Sequence, residues 1–315
     1  MLQPIDAAEF EALFACPPGT LPVAAREQLA RTDTAHEDAG VADLEEYILH
    51  FLQQIDSPLL QRSREENLAA FEKGWGENFQ RLRTKGISLD ALKPGYFRGC
   101  RFLRYRGRLV TSPNLQLEFD LFRVARLVLF HRYLRDIPAI WELGCGSCQN
   151  ILMLAEQFPD STLVASDWTA VSGEIADHLG RELKRDIHGV RYDMAGAPIP
   201  PPLAPGGAIV TIHAFEQLGT DFHAVLQTML AAQPAIVLQY EPVLEFYDPS
   251  NLYDGLALRY CRKRRYLDGY YTELRRLEAA GRIEILEARR PFLGGTLHEA
   301  SVLAWRPRPA APAPQ

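Results

Sequence analysis

From Ala139 onward the chain alternates short apolar runs with helix-length segments, and few folds accommodate that rhythm. Parallel strands need crossovers long enough to hold a helix, and helices on both faces of a sheet bury its strands completely, so each strand reads as a continuous apolar run. Five such runs stand out, at 139–143, 162–166, 189–192, 208–212 and 235–239. Helical spacing fits between the first and second (150–158), the second and third (171–184) and the fourth and fifth (222–230). The Pro-rich stretch 198–205 is too broken for a helix, so that crossover is expected to be irregular. Two further runs, 282–288 and 299–305, flank Gly294-Gly295 and predict a terminal antiparallel hairpin. The expected fold class is α/β: a Rossmann-like sheet of parallel strands closed by an antiparallel hairpin.

The first strand meets the first helix at Glu142-Leu143-Gly144-Cys145-Gly146-Ser147-Cys148. Glycines at 144 and 146 let the backbone turn sharply and let a ligand lie against main-chain N–H groups at a helix N-terminus. In open α/β sheets ligands sit at this place. A dinucleotide fingerprint would have a third glycine at position 149, where this chain has Gln149. A P-loop would have Gly-Lys followed by Ser or Thr, also absent here.

The segment resembles the first motif of the class I S-adenosylmethionine-dependent methyltransferases, an acidic residue followed by spaced glycines. Glu142, Gly144 and Gly146 match it, and Cys148 stands where a third glycine is usual. The resemblance covers roughly 134–305. It implies S-adenosyl-L-methionine as cofactor, with Glu142, Gly144, Cys145 and Gly146 forming the elbow beneath it. Asp167 ends the second run 21 residues past Gly146, where a carboxylate can accept both ribose hydroxyls. Asp193 ends the third run, where the family places an acidic group facing the adenine amino group. Trp168 and Met194 are then expected along the purine faces, since an indole and a thioether suit a flat ring.

The fourth run ends in Thr211-Ile212-His213-Ala214-Phe215-Glu216. In the family this edge faces the reactive methyl group, which makes His213 the candidate general base and a neighbour of the cofactor, with Glu216 orienting it. A methylated hydroxyl or amine must lose a proton, and imidazole titrates in the needed range. After the fifth run, 241–275 reads as an insertion above the cleft, a lid for the acceptor. It is rich in tyrosine and carries Arg262-Lys263-Arg264-Arg265. Tyr247, Tyr253, Arg262 and Arg265 are the candidate acceptor-binding residues, because aromatic faces stack on rings and guanidinium forks match phosphate or carboxylate. That suggests a small polar metabolite, anionic and sugar- or nucleotide-linked.

Residues 1–110 read as a mainly helical cap and 111–306 as the catalytic domain, with 307–315 a loose Pro- and Ala-rich tail. Apolar residues at helical spacing mark two cap helices, through Leu44, Tyr47, Ile48, Phe51, Leu52 and Ile55 and through Leu68, Phe71, Trp75, Phe79 and Leu82. These stripes are most simply core contacts. One or two short strands are expected in 96–110, and Ser112-Pro113 reads as a helix start leading into 115–134. Arg98, Arg101, Arg104, Arg106 and Arg108 crowd one stretch; on a continuous strand Arg104, Arg106 and Arg108 would share a face, most simply a wet one.

A net charge of −6 argues against a broad grip on nucleic acid, which needs surplus cations. No stretch approaches the roughly 20 apolar residues of a membrane span, and the first residues lack the features of a signal peptide, so the cytoplasm is the expected location. Five cysteines, few and odd in number, fit a reducing compartment. The Cys145–Cys148 pair lacks companion ligands, so no metal is expected, although His213, Glu216, Glu241 and Glu245 would be the residues of a metal-assisted variant. The partner expected is a small-molecule acceptor, and a homodimer is compatible with the sequence. The rival readings are a protein or RNA methyltransferase and a non-catalytic binding subunit that keeps the fold.

Overall fold

In the computed structural model, residues 2–97, 99–196 and 203–308 are described below. Strands β4 (Ala139–Leu143), β7 (Ala208–Ile212) and β8 (Ile236–Glu241) are buried along their whole length, as strands covered on both faces must be. With β5 (Thr162–Asp167), β6 (Ile187–Arg191), β9 (Ile283–Arg289) and β11 (Ser301–Pro307) they form a seven-stranded sheet in the order β6-β5-β4-β7-β8-β11-β9. The first five in that order are parallel, and β11 runs antiparallel to both β8 and β9. The expected doubly wound sheet with a terminal hairpin is therefore present. β8 continues past position 239 because Ser301 and Val302 of β11 pair with Glu241 and Tyr240. The chain leaves β4 toward β5 on one side and reaches β7 on the other, so the crevice for a ligand opens between the ends of β4 and β7.

Helices α6 (Gln149–Gln157), α7 (Ala170–Leu183) and α8 (His223–Ala232) supply the crossovers. Helices α9 (Leu252–Lys263) and α10 (Tyr270–Ala279) occupy the insertion after β8. The Pro-rich crossover falls largely on 197–202, outside the described residues, as does 309–315 of the tail. Arg306 and Pro307 belong to β11, and the Arg308 N–H donates to the Arg282 carbonyl, so order extends past the expected tail boundary at 307.

The N-terminal part holds α1 (Ala7–Leu13), α2 (Val23–Arg31), α3 (Val41–Asp56) and α4 (Arg64–Lys85), with strands β1 (Glu37–Asp38), β2 (Phe102–Tyr105) and β3 (Arg108–Thr111). A second sheet, β1-β3-β2-β10, takes its last strand β10 (Leu293–Gly294) from the terminal hairpin loop. One apolar core runs through both parts: Phe10, Phe14 and Leu29 pack in the same cluster as Ile140, Leu238 and Val302. The cap is thus welded to the seven-stranded sheet.

Two local readings change. Helix α5 spans Leu117–Leu134 and is capped at Gln116, not Ser112. The Ser112 hydroxyl donates to the Ala35 carbonyl and accepts from the Asn114 N–H, so it closes a turn before the helix. The arginine stretch has no common face, because the chain reverses at Arg106-Gly107 between β2 and β3. Arg101 pairs with Asp43 and Glu46, Arg106 with Glu9 and Arg108 with Asp38, while Arg104 is 2% exposed among acidic groups. Arg98 lies outside the described residues.

Candidate functional site

At the elbow, Gly144 (φ +75°) and Gly146 (φ +51°) adopt the left-handed conformation that a side chain would resist. A methyl group at Gly144 would lie 2.4 Å from the Ala214 methyl, and one at Gly146 would lie 3.1 Å from the Trp75 ring. The ends of β4 and β7 therefore meet at Gly144 and Ala214, and the same added methyl group would lie 3.4 Å from Met194 Cε. Asp167 clasps the elbow: one carboxylate oxygen accepts from the Gly146 N–H at 3.0 Å, the other from the Thr169 N–H and hydroxyl at 2.9 and 2.7 Å. Burial pushes its pKa up, against the pull of those three donors. Both lone pairs of the oxygen that accepts from Thr169 are taken, while the one that accepts from Gly146 keeps a lone pair free for a further donor.

Glu142 is fully buried, with one oxygen accepting from Asn150 at 2.6 Å and the other without a partner. Desolvation raises its pKa to about 8. Arg126 of α5 holds the Gln149 and Asn150 side-chain oxygens, and burial lowers its pKa to about 10. Cys145 donates its N–H to the Ser166 carbonyl, and its sulfur lies 3.8 Å from that of Cys148; burial raises both thiol pKa values.

Asp193 and Trp168 stand together on the far side of Asp167, joined by a residue that the sequence reading passed over. Arg64, the first residue of α4, pairs with Asp193 and lies over the Trp168 ring, 4.8 Å from its centroid. Farther along α4, Phe71 packs edge-on against Trp168 at 6.2 Å and stacks on Trp75 at 5.7 Å. Glu72 accepts from the N–H groups of Ala170 and Val171, which are orphan donors at the start of α7. Helix α4 thus lies across Gly146, Trp168 and Asp193. Its aromatic stripe was legible as apolar periodicity, which identifies a buried face without naming what it covers. A groove of about 300 Å³ is lined by Glu65, Leu68, Ala69 and Glu72 of α4, Ala170 of α7 and Arg191 of β6.

His213 follows β7 in the left-handed region (φ +51°), a conformation that costs a non-glycine residue roughly 1–2 kcal/mol. Its ring lies among Phe122 (5.4 Å), Tyr240 (5.8 Å) and His298 (5.9 Å). Burial lowers its pKa to about 4, and its Nε2 is buried without a partner. Nδ1 faces Glu216 Oε2 at 3.7 Å, too long for a hydrogen bond. Glu216 sits beside Glu241, whose carboxylate accepts the N–H groups of Ala214, Phe215 and Glu216. Burial and that neighbouring charge hold the Glu216 proton on well above the usual carboxylate range. Glu245 is turned away, capping the start of α10 through Tyr271 and Thr272, and no trio of His, Cys, Asp or Glu among the described residues is disposed to hold a metal.

The proposed acceptor residues divide. Tyr247 spends its hydroxyl on the Glu299 backbone, accepting from the N–H at 2.9 Å and donating to the carbonyl at 2.6 Å. Tyr253 packs edge-on against Tyr47 of α3. Arg262 and Arg265 are exposed. The inward member of the basic run is Arg264, over the Tyr266 ring at 5.3 Å with its Nε buried and unpartnered. Tyr260 and Tyr266 each contact His298 at 5.8 Å. Tyr260, Arg264 and Tyr266 belong to the same insertion as the four candidates, with Tyr260 on the buried face of α9 and Arg264 and Tyr266 just past its end.

No protein-family model and no curated protein matches the chain. Among solved structures, the geranyl diphosphate C-methyltransferase of Streptomyces coelicolor A3(2), with S-adenosyl-L-homocysteine, is 12% identical; the match covers 62% of this chain and 87% of that one at a TM-score of 0.44. An O-methyltransferase from a trans-AT PKS multienzyme of Brevibacillus brevis is 12% identical over 68% of this chain and 84% of that one, TM-score 0.45. The cyclase SpnF is 14% identical over 67% and 87%, TM-score 0.46.

Proposed function

We propose that this chain is an S-adenosylmethionine-dependent methyltransferase acting on a hydroxyl or amine of a small metabolite. The observations that support the reading are contacts at the strand ends: the elbow at Gly144 and Gly146, Asp167 bonded to that elbow, Met194 Cε facing the bare side of Gly144, and Asp193 linked to Trp168 through Arg64. These residues suit the cofactor. Asp167 Oδ2 has a free lone pair to take one ribose hydroxyl, Trp168 and Met194 offer faces for adenine, and the unpartnered oxygen of Glu142 suits the ammonium of the methionine end.

Bound there, S-adenosylmethionine would supply a methyl group already activated by its sulfonium. The protein's own work is then alignment, exclusion of water and removal of one proton. His213, neutral and with Nε2 open, is the group that can accept that proton; Glu216, itself protonated, adds no charge beside it. The cap arginines favour no macromolecular substrate, since Arg101, Arg106 and Arg108 are already paired with acidic side chains and Arg104 is buried. The reading is tested by calorimetry with S-adenosylmethionine on the wild type and Asp167→Asn. Loss of a charged hydrogen-bonding group should weaken binding about 10- to 100-fold. Absence of binding to the wild type at high micromolar ligand would favour a non-catalytic relative of the fold.

A further inference from the structure

The expected topology puts His298, in the loop before β11, near the cleft without giving it a role, and its ring lies 5.9 Å from that of His213. Each imidazole has a buried nitrogen with no partner, Nε2 on His213 and Nδ1 on His298; the hydroxyl of Tyr240, whose ring lies 5.8 Å from His213, and Glu216 Oε2, 3.7 Å from His213 Nδ1, are likewise buried and unpartnered. Buried polar atoms are almost always satisfied, so unpartnered ones gathered in one place mark where a ligand atom belongs. The surrounding surfaces are flat rings: Phe122 on His213, Tyr260 stacked on His298 at an interplanar angle of 27°, and Tyr266 across its edge.

Resting on the methyltransferase reading, we infer that the acceptor is a phenol-type aryl hydroxyl, held by two histidines: His213 Nε2 accepts its proton and His298 Nδ1–H donates to its oxygen. One hydroxyl oxygen has the complementary set, with one proton to give, one lone pair for the His298 N–H and one left to attack the methyl carbon. In the transfer the oxygen–carbon bond forms as the sulfur–carbon bond of the donor breaks. The hydroxyl proton goes to His213 Nε2, leaving a methyl ether, a neutral thioether and an imidazolium that returns its proton to solvent. An aliphatic alcohol is too weak an acid for an imidazole held this neutral, whereas an aryl hydroxyl is several orders of magnitude more acidic. The flat walls favour the same class, since ring faces gain most from stacking on another aromatic ring.

The test uses the full chain loaded with S-adenosylhomocysteine and ring-¹⁵N-labelled histidine, titrated with catechol, simple phenols and naphthols, and separately with methyl α-glucopyranoside. The His213 and His298 resonances should both move with an aryl hydroxyl and stay still with the glucoside. With S-adenosylmethionine, methyl ether formation on the responding phenol should fall roughly 100-fold in His298→Ala, the range for losing one aligned donor. His298→Asn, which keeps an N–H donor, should recover much of that loss, and calorimetric cofactor affinity should be unchanged in both variants. The inference is overturned if no phenol of the panel moves either imidazole, if the glucoside is methylated in preference, or if His298→Ala works like the wild type. Failure of the wild type to bind the cofactor at all would instead defeat the reading on which it rests.

Discussion

At the scale of single residues, the site is governed by desolvation. A histidine in water titrates near 6.5, and burial drops His213 to about 4, with Glu241 pulling up and Arg126 pushing further down. Between those two values the unfolded chain binds a proton that the folded chain refuses, so this residue removes stability as pH falls from 6.5 to 4. Replacing it should erase that slope: His213→Asn, compared with wild type by urea unfolding at pH 7 and pH 4, should gain about 3 kcal/mol in relative stability at the lower pH. Glu142, raised to about 8, acts with the opposite sign, favouring the fold at low pH and losing that contribution as pH rises from 4.5 through 8. An unchanged difference between wild type and His213→Asn across the range would mean that the imidazole is not buried neutral.

At the scale of elements, helix α4 is the piece whose role depends on where it lands. Its N-terminus is secured by a capping box, Ser63 accepting from the Glu66 N–H and the Glu66 carboxylate from the Ser63 N–H. Its far face closes over the elbow through Trp75, 7% exposed, and over the start of α7 through Glu72. The two contacts differ in kind and should separate experimentally. Trp75→Ala opens a cavity and should cost about 3–5 kcal/mol in urea unfolding while also weakening cofactor binding. Glu72→Ala removes a cap on two orphan N–H groups and should cost about 1 kcal/mol. Equal effects of the two would show that α4 docks through α7 alone.

At the scale of the whole molecule, the cap and the sheet are locked by a buried ionic cluster. Arg104 of β2 and Arg290 beside β9 pair with Asp254 of α9 and with Glu299 just before β11, all four less than a tenth exposed. Two positive and two negative side chains balance, which is the condition under which such groups tolerate burial. Asp254→Ala leaves two buried guanidinium groups competing for one carboxylate and should cost about 3–5 kcal/mol, read by thermal and urea unfolding. Because this cluster also holds the chain next to His298, the same variant should disturb the ring geometry there, visible as shifted His298 resonances. A variant as stable as the wild type would mean that water satisfies the orphaned arginines.

The strands β4 and β7, the terminal hairpin, the glycine elbow and Asp167 were legible in linear order because each depends on local chemistry: runs that must be apolar on both faces, glycines where φ is positive, a carboxylate at a strand end. Arg64, Arg264, what Trp75 covers, the role of His298 and the partners of Arg104 were not. Each acquires its role from side chains brought up by distant elements, as when Arg64 meets Asp193 across 129 residues and Arg104 meets Asp254 across 150. Periodicity tells that a helix face is buried, but what it is buried against is decided only when the chain closes on itself.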